Sequence, residues 1–102
     1  MNRVQENATG IKPVVLAEIR DLASRHGLQR AVLFGSRARG DFRPKSDIDL
    51  AVSGGEIDRF RMSVEEETST LLSFDVVNLD RNVRPDLRNA IDREGLVLYE
   101  KV

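Results

Sequence analysis

Apolar residues recur at helical spacing in the first third of the chain. Val15, Ile19 and Leu22 follow one another at intervals of four and then three, which places them on one face of an α-helix. Pro13 suits the first turn of such a helix and Gly27 its end. The pattern therefore predicts a first helix between these two residues.

The same periodicity predicts two further helices. From Ile57 to Leu72 the apolar residues keep one face over about four turns, so we expect a second long helix over 57–72. Residues 85–93 repeat the pattern with Leu87 and Ile91 turned inward, and Gly95 marks the end of this helix.

Short apolar runs between the helices predict β-strands. Residues 31–34 are continuously apolar, as in a strand buried on both faces. Residues 47–52 alternate acidic and apolar positions in their first half, and residues 74–79 and 96–99 supply two more strands. The order of elements predicts an α/β (α+β) fold, in which helices flank a small, twisted, mixed β-sheet.

Length and composition limit what the protein does. The 102 residues fit one domain, assigned to 1–102 with a frayed lead-in over 1–10. A net charge of -1 provides no overall field toward nucleic acid or an anionic membrane, and the lack of Cys excludes thiol chemistry. No apolar run approaches the roughly 20 residues of a membrane span, and the polar start lacks a signal peptide's apolar region. We therefore expect a cytoplasmic protein that binds neither membrane nor nucleic acid directly.

Two carboxylates on the second predicted strand are the first sign of chemistry. Side chains alternate along a strand, so Asp47 and Asp49 project from one face about 7 Å apart. Such a pair is tolerated when divalent cations lie between the two charges. Oxygen ligands, with no Cys and a single His, favour Mg²⁺ or Mn²⁺ over zinc.

A candidate phosphate site precedes this pair. Gly35 and Ser36 follow the first strand at a predicted bend, where glycine permits close approach and backbone N–H groups at a helix start bind phosphate oxygens. Arg37 and Arg39 follow and are candidates to bind phosphate. The basic stretch continues to Arg43 and Lys45, which we interpret as solvated loop charges, and Asp41 as a turn residue.

A two-metal site requires a third acid. Asp75 opens the third predicted strand and is our candidate, both as a metal ligand and as acceptor of the nucleophile's proton. Asp80 is the competitor, but it lies at the strand exit and, by alternation, on the opposite face.

The spacing of these residues resembles a known signature. Gly35-Ser36, ten intervening residues and then Asp47-Ile48-Asp49 resemble the motif of the DNA polymerase β-type nucleotidyltransferase superfamily. Within it, the segments 35–40 (Gly-Ser-Arg-Ala-Arg-Gly) and 46–50 (Ser-Asp-Ile-Asp-Leu) are similar to the minimal nucleotidyltransferases, abbreviated MNT. The likeness extends over nearly the whole chain.

The resemblance implies an activity and a partner. It implies that Asp47, Asp49 and Asp75 bind two Mg²⁺ ions, and that Gly35 and Ser36 hold the triphosphate of ATP. It also implies that an acceptor hydroxyl takes AMP and that pyrophosphate leaves, with Arg37 and Arg39 as candidates to bind it. MNT proteins of this kind resemble antitoxins that are paired with a helical HEPN toxin. The implied function is antitoxin activity by transfer of AMP to a toxin tyrosine.

Two other functions remain open. In one, a partner supplies a small-molecule pocket, as in two-component or antibiotic-modifying nucleotidyltransferases. In the other, the chain is a binding module that neutralises its partner by occlusion, without catalysis.

Several weaker patterns favour simpler interpretations. The segment 35–40 mimics the start of a Walker A loop, but Asp41-Phe42 stand where Lys-Ser/Thr is required. Arg20 and His26 match the loose Arg-His spacing of HEPN nucleases, yet the all-helical pattern of those proteins is missing. Tyr99 is interpreted as a packing residue in the last strand, and not as a self-modification site.

Overall fold

Five strands and four helices alternate along the chain in the computed structural model, which describes residues 2–3 and 8–102. In chain order they are β1 (Asn2–Arg3), α1 (Pro13–Arg25), β2 (Arg30–Phe34), α2 (Ser36–Arg39), β3 (Ile48–Ser53), α3 (Ile57–Glu67), β4 (Phe74–Asn78), α4 (Pro85–Glu94) and β5 (Leu96–Glu100). Pro residues stand at the first turns of α1 and α4, where a missing backbone N–H costs nothing.

The strands form one mixed sheet in the order β1-β5-β2-β3-β4. β2 pairs antiparallel with both of its neighbours, whereas β3 pairs parallel with β4. Because β2 and β3 are antiparallel, the end of β2 lies beside the start of β3. The predicted α+β class with a mixed sheet is confirmed.

The two faces of the sheet are covered unequally. The larger core packs α1 and α3 against one face, through residues such as Ile19, Phe60 and Leu50. On the opposite face the smaller core contains Ile91 of α4, together with buried residues of β2 and β3. Asp49 shares this second face with Ala51, because side chains alternate along β3. The acidic residues therefore lie on the thinly covered side of the sheet.

The second long helix is shorter than the periodicity predicts. α3 ends at Glu67, and Thr68 adopts an extended backbone. The Thr68 hydroxyl donates to the Val64 carbonyl, and Glu18 accepts hydrogen bonds from both the backbone N–H and the hydroxyl of Ser69. Ser and Thr side chains compete with helical hydrogen bonds in this way. The prediction that Leu71 lies on the buried face of a helix was wrong, since its side chain is fully exposed.

The N-terminal lead-in differs in part from the expectation of a frayed segment. Residues 1 and 4–7 lie outside the described residues. The backbone of Asn2–Arg3 pairs parallel with β5, and Thr9 is fully buried. Among the described residues, no helix is both long and apolar enough to cross a membrane.

Candidate active site

Asp49 and Asp75 are neighbours across two parallel strands. The register of β3 and β4 pairs Asp49 with Asp75, so both side chains leave the same face of the sheet. Adjacent strands lie about 4.8 Å apart, which brings the two carboxyl groups together. Asp47 is two residues earlier, immediately before β3. The three acids that the sequence singled out therefore lie at the end of the sheet where the parallel strands β3 and β4 begin.

Gly35 lies directly against the Asp49 carboxylate of this acidic cluster. It follows β2 with φ 75° and ψ -157°, a conformation open essentially to glycine alone, and it directly precedes α2. A Cβ atom at Gly35 would overlap Oδ2 of Asp49 and come within 3.0 Å of its Cγ. Gly35 thus permits the backbone to lie against a carboxylate, whereas the sequence predicts close approach of a phosphate at this bend.

The bend also begins the short helix α2. The backbone N–H groups of Ala38 and Arg39 donate to the Gly35 carbonyl. Those of Ser36 and Arg37 come earlier in the turn, where N–H groups have no intrahelical acceptor. Ser36 is half-buried, so the bend is not sealed by packing.

The pKa of Asp49 reflects its burial and the charged groups around it. Burial, and then the neighbouring charges of Asp75 and Asp47, raise the pKa of Asp49 from 3.8 to about 6, while Arg39 and Arg37 act in the opposite direction. Asp47 and Asp75 are exposed. The cluster therefore repels its own central negative charge, which is the situation that a bound cation relieves.

The carboxylates of Asp47, Asp49 and Asp75 suit a hard divalent cation, although the three groups do not converge on a single point. All three side chains offer oxygen ligands of the kind that Mg²⁺ prefers. Within the described part of the chain, no three acidic or histidine side chains converge closely enough to enclose a metal ion as they stand. The residues thus fit Mg²⁺ by chemistry, with the pair Asp49 and Asp75 already adjacent.

Arg37 lies elsewhere than the sequence predicts. Its side chain is only 1% exposed, and its guanidinium donates to the backbone carbonyls of Thr9, Pro44 and Ser46. A phosphate ligand must reach the open face of the site. The structure therefore places Arg37 beneath the loop that leads to Asp47, which differs from the predicted contact with pyrophosphate.

Arg39 remains at the surface beside the site. It pairs with Asp41 at 3.3 Å and with Glu94 of α4 at 3.2 Å, and these hydrogen bonds raise its pKa. The pair with Asp41 is exposed on both sides and is therefore weak, so a phosphate can compete with Asp41 for the guanidinium. Asp41, interpreted from the sequence as a turn residue only, is thus also a partner of Arg39.

The other sequence candidates are placed as follows. Asp80 accepts a hydrogen bond from the Gly54 N–H at the opposite end of β4, which separates it from the acidic cluster. Arg43 and Lys45 are exposed. Sequence reasoning missed Glu94 and Phe42, because their partners are far away in the chain or depend on the path of a loop.

Comparison with known proteins identifies the class. The family model described as "Polymerase beta, Nucleotidyltransferase" matches residues 17–102. The chain belongs to this family of nucleotidyltransferases. A curated protein of Methanocaldococcus jannaschii, named "putative protein adenylyltransferase", is 34% identical over 76 residues, which cover 71% of this chain and 81% of that protein.

Solved structures agree with this assignment. A structure described as a "putative minimal nucleotidyltransferase" is 32% identical, with a TM-score of 0.62, and the match covers 79% of this chain and 86% of that one. A toxin-antitoxin structure with AMP-PNP has a TM-score of 0.67 at 24% identity, over 84% of this chain and 73% of that one. At that identity the second likeness supports the fold alone.

Proposed function

We propose that the protein transfers AMP from ATP to a hydroxyl group in a reaction that requires Mg²⁺. The observation that carries this proposal is the position of Asp49, which lies beside Asp75 of the neighbouring strand β4 and against Gly35 of the bend after β2. This arrangement supports the proposal, because the bend to which we assign phosphate binding adjoins a carboxylate pair. Nucleotidyl transfer needs both.

Each residue has a role in the proposed reaction. Gly35 and Ser36 bind the triphosphate through backbone N–H groups and the Ser36 hydroxyl, and Arg39 exchanges its surface partners for the departing phosphates. Asp47, Asp49 and Asp75 hold Mg²⁺, which when bound neutralises phosphoryl charge and favours departure of pyrophosphate.

The bond changes are those of a single displacement. The acceptor oxygen attacks the α-phosphorus, a new P–O bond forms, and the bond to the bridging β-phosphate oxygen breaks. Pyrophosphate leaves with that electron pair. Asp75, exposed at the edge strand β4, accepts the proton of the acceptor hydroxyl.

The acceptor that we favour is a tyrosine of a partner protein, a cognate HEPN toxin. One resemblance supports a protein acceptor, since the relative from Methanocaldococcus jannaschii is named as a putative protein adenylyltransferase. The toxin partner is suggested by a fold that this chain shares with a toxin-antitoxin structure. In this proposal the chain is the antitoxin, and AMP attached to the toxin silences it.

Labelled ATP tests the reaction and its acceptor together. The protein is incubated with Mg²⁺, the product of the adjacent gene and ATP labelled at either the α- or the γ-phosphate. We expect the partner protein to retain α-label and not γ-label. Label on a small molecule would favour the antibiotic-type alternative, and a stable complex without label would favour neutralisation by binding.

Two aspartates at opposite ends of β4 provide a matched pair of variants. We expect Asp75→Asn to reduce transfer by at least about 10³-fold, because it removes both a metal ligand and the proton acceptor. Asp80→Asn changes the same chemical group away from the site and should retain transfer within a few-fold. The measurement is the initial rate of α-label transfer, and equal rates for the two variants would contradict the role of Asp75.

A further inference from the structure

The two arginines of the segment 35–40 point to opposite sides of α2. Successive residues of an α-helix are separated by about 100°, so Arg37 and Arg39 are about 200° apart. Arg37 is buried, whereas Arg39 is exposed. One ligand on the open face of the site cannot be shared by both guanidinium groups.

Arg37 binds three separate points of the backbone. Nε donates to the Ser46 carbonyl at 3.0 Å, Nη1 to Thr9 at 3.0 Å and Nη2 to Pro44 at 3.2 Å. A buried cation without such acceptors would be costly, and burial indeed lowers the pKa of Arg37. The guanidinium therefore serves as an internal connector between α2, the loop 40–47 and the segment around Thr9.

Phe42 and Gly10 complete the packing around this cation. The guanidinium carbon lies 4.9 Å from the centre of the Phe42 ring, a cation-π distance. Gly10 has φ +69°, and a Cβ there would overlap the Phe42 ring and come within 2.9 Å of Arg37 Nη1. The loop thus has a small core of its own, built on Arg37.

The connection ends at the acidic cluster. Ser46, whose carbonyl accepts from Arg37, is bonded directly to Asp47, and the next residue, Ile48, donates to the Ser73 carbonyl. Asp47 therefore sits between two fixed points of backbone. Loss of the first point would leave the Ser46 side of Asp47 to the hydrogen bonds between Ser46 and Arg43, which lie within the loop itself.

We propose that Arg37 is a positioning residue for Asp47, holding the loop 40–47 so that the third carboxylate reaches the cation, while Arg39 alone of the two arginines meets phosphate. The inference rests on the proposed function, because it concerns the same site. It adds that the two arginines have different roles: Arg37 governs affinity for the cation, and Arg39 governs affinity for the nucleotide.

Metal and nucleotide binding are measured separately on the full chain. Mn²⁺ alone is the metal probe, followed by electron paramagnetic resonance, and ATP with Mg²⁺ is the nucleotide probe, followed by calorimetry. We expect Arg37→Gln to weaken Mn²⁺ binding by 10-fold or more. Arg39→Gln should leave Mn²⁺ binding within 2-fold and weaken ATP binding by about 10-fold. Unchanged Mn²⁺ binding with weaker ATP binding in Arg37→Gln would overturn the proposal.

Two further variants separate positioning from general stability. Arg37→Lys keeps the charge but loses part of the hydrogen bonding, and Phe42→Leu keeps the guanidinium but loses the ring. Both should weaken Mn²⁺ binding several-fold and speed amide hydrogen exchange in residues 41–47. A lower Tm with unchanged Mn²⁺ binding in both would show a merely structural role and overturn the proposal, even where Arg37→Gln does not fold.

Mn²⁺ binding by the wild-type protein distinguishes failure of the proposed function from failure of the proposed role of Arg37. Wild-type protein that binds no Mn²⁺ would overturn the proposed function. Wild-type protein that binds Mn²⁺, with equal affinity in all the Arg37 and Phe42 variants, would overturn only the role of Arg37.

Discussion

Replacement of Asp49 by Asn is expected to abolish nucleotidyl transfer and, at neutral pH without divalent cations, to stabilise the fold. The loss of transfer should be at least about 10³-fold, because the central ligand of the carboxylate cluster disappears. The gain in stability follows from the same crowding. The neutral amide removes a negative charge that burial and two neighbouring carboxylates disfavour.

The pH dependence of this gain has a definite sign. Folding raises the pKa of Asp49 from 3.8 to about 6, so the folded state favours the protonated form. Its contribution to stability is complete below about pH 4 and is lost as the pH rises through about 6. The Asn variant, which does not titrate, should match the wild type near pH 4 and exceed it above pH 7.

The expected size is moderate, since Asp49 is only partly buried. With a discount for solvent screening, the shift corresponds to about 1 to 2 kcal/mol at neutral pH. For a domain of this size that raises Tm by roughly 4 to 12 °C. Bound Mg²⁺ stabilises the wild type by mass action, so the difference should shrink when Mg²⁺ is added.

Thermal unfolding, followed by circular dichroism between pH 4 and 8, measures this difference. Asp92→Asn is the control, because Asp92 is an exposed residue of α4. That variant should follow the wild-type curve across the pH range. An Asp49→Asn protein that is less stable than the wild type at pH 7.5 would contradict the argument.

The fold and the acidic cluster were predictable because they depend on periodicity. Alternation predicts Asp47 and Asp49 on one face of a strand over 47–52, whereas β3 begins at Ile48 and Asp47 belongs to the preceding loop. Helical spacing identifies α1, α3 and α4. The choice of Asp75 over Asp80 also followed from alternation. In the structure, the register of β3 and β4 pairs Asp49 with Asp75. Alternation alone does not determine this register, because the two strands are distant in the chain.

Features that depend on local competition or on loop paths were not predictable in the same way. α3 ends at Glu67 because the hydroxyls of Thr68 and Ser69 find other partners, although the apolar pattern continues to Leu72. The burial of Arg37 needs carbonyls of the loop 40–47 and of the segment around Thr9 to converge on its guanidinium. One signal was available: two arginines at spacing two on a helix cannot serve the same ligand.

Replacement of Gly35 by Ala is expected to reduce transfer by about 10²-fold, because the added methyl group displaces the bend or the Asp49 carboxylate. The change leaves every carboxylate and every cation in place. Its Cβ would overlap Oδ2 of Asp49, in a backbone conformation that Ala does not readily adopt. Either the bend or the Asp49 carboxylate must move, and displacement by about 1 Å is enough to cost on the order of 10²-fold in rate.

Gly27→Ala separates this steric effect from backbone strain. Gly27 has φ +68°, close to the +75° of Gly35, but nothing lies within 4 Å of a Cβ placed there. Both variants should lose roughly 1 to 3 kcal/mol of stability from the strained backbone. Only Gly35→Ala should also lose α-label transfer and Mn²⁺ binding when compared at equal folded fraction. If Gly35→Ala kept both while losing only stability, the close contact between bend and carboxylate would have no part in catalysis.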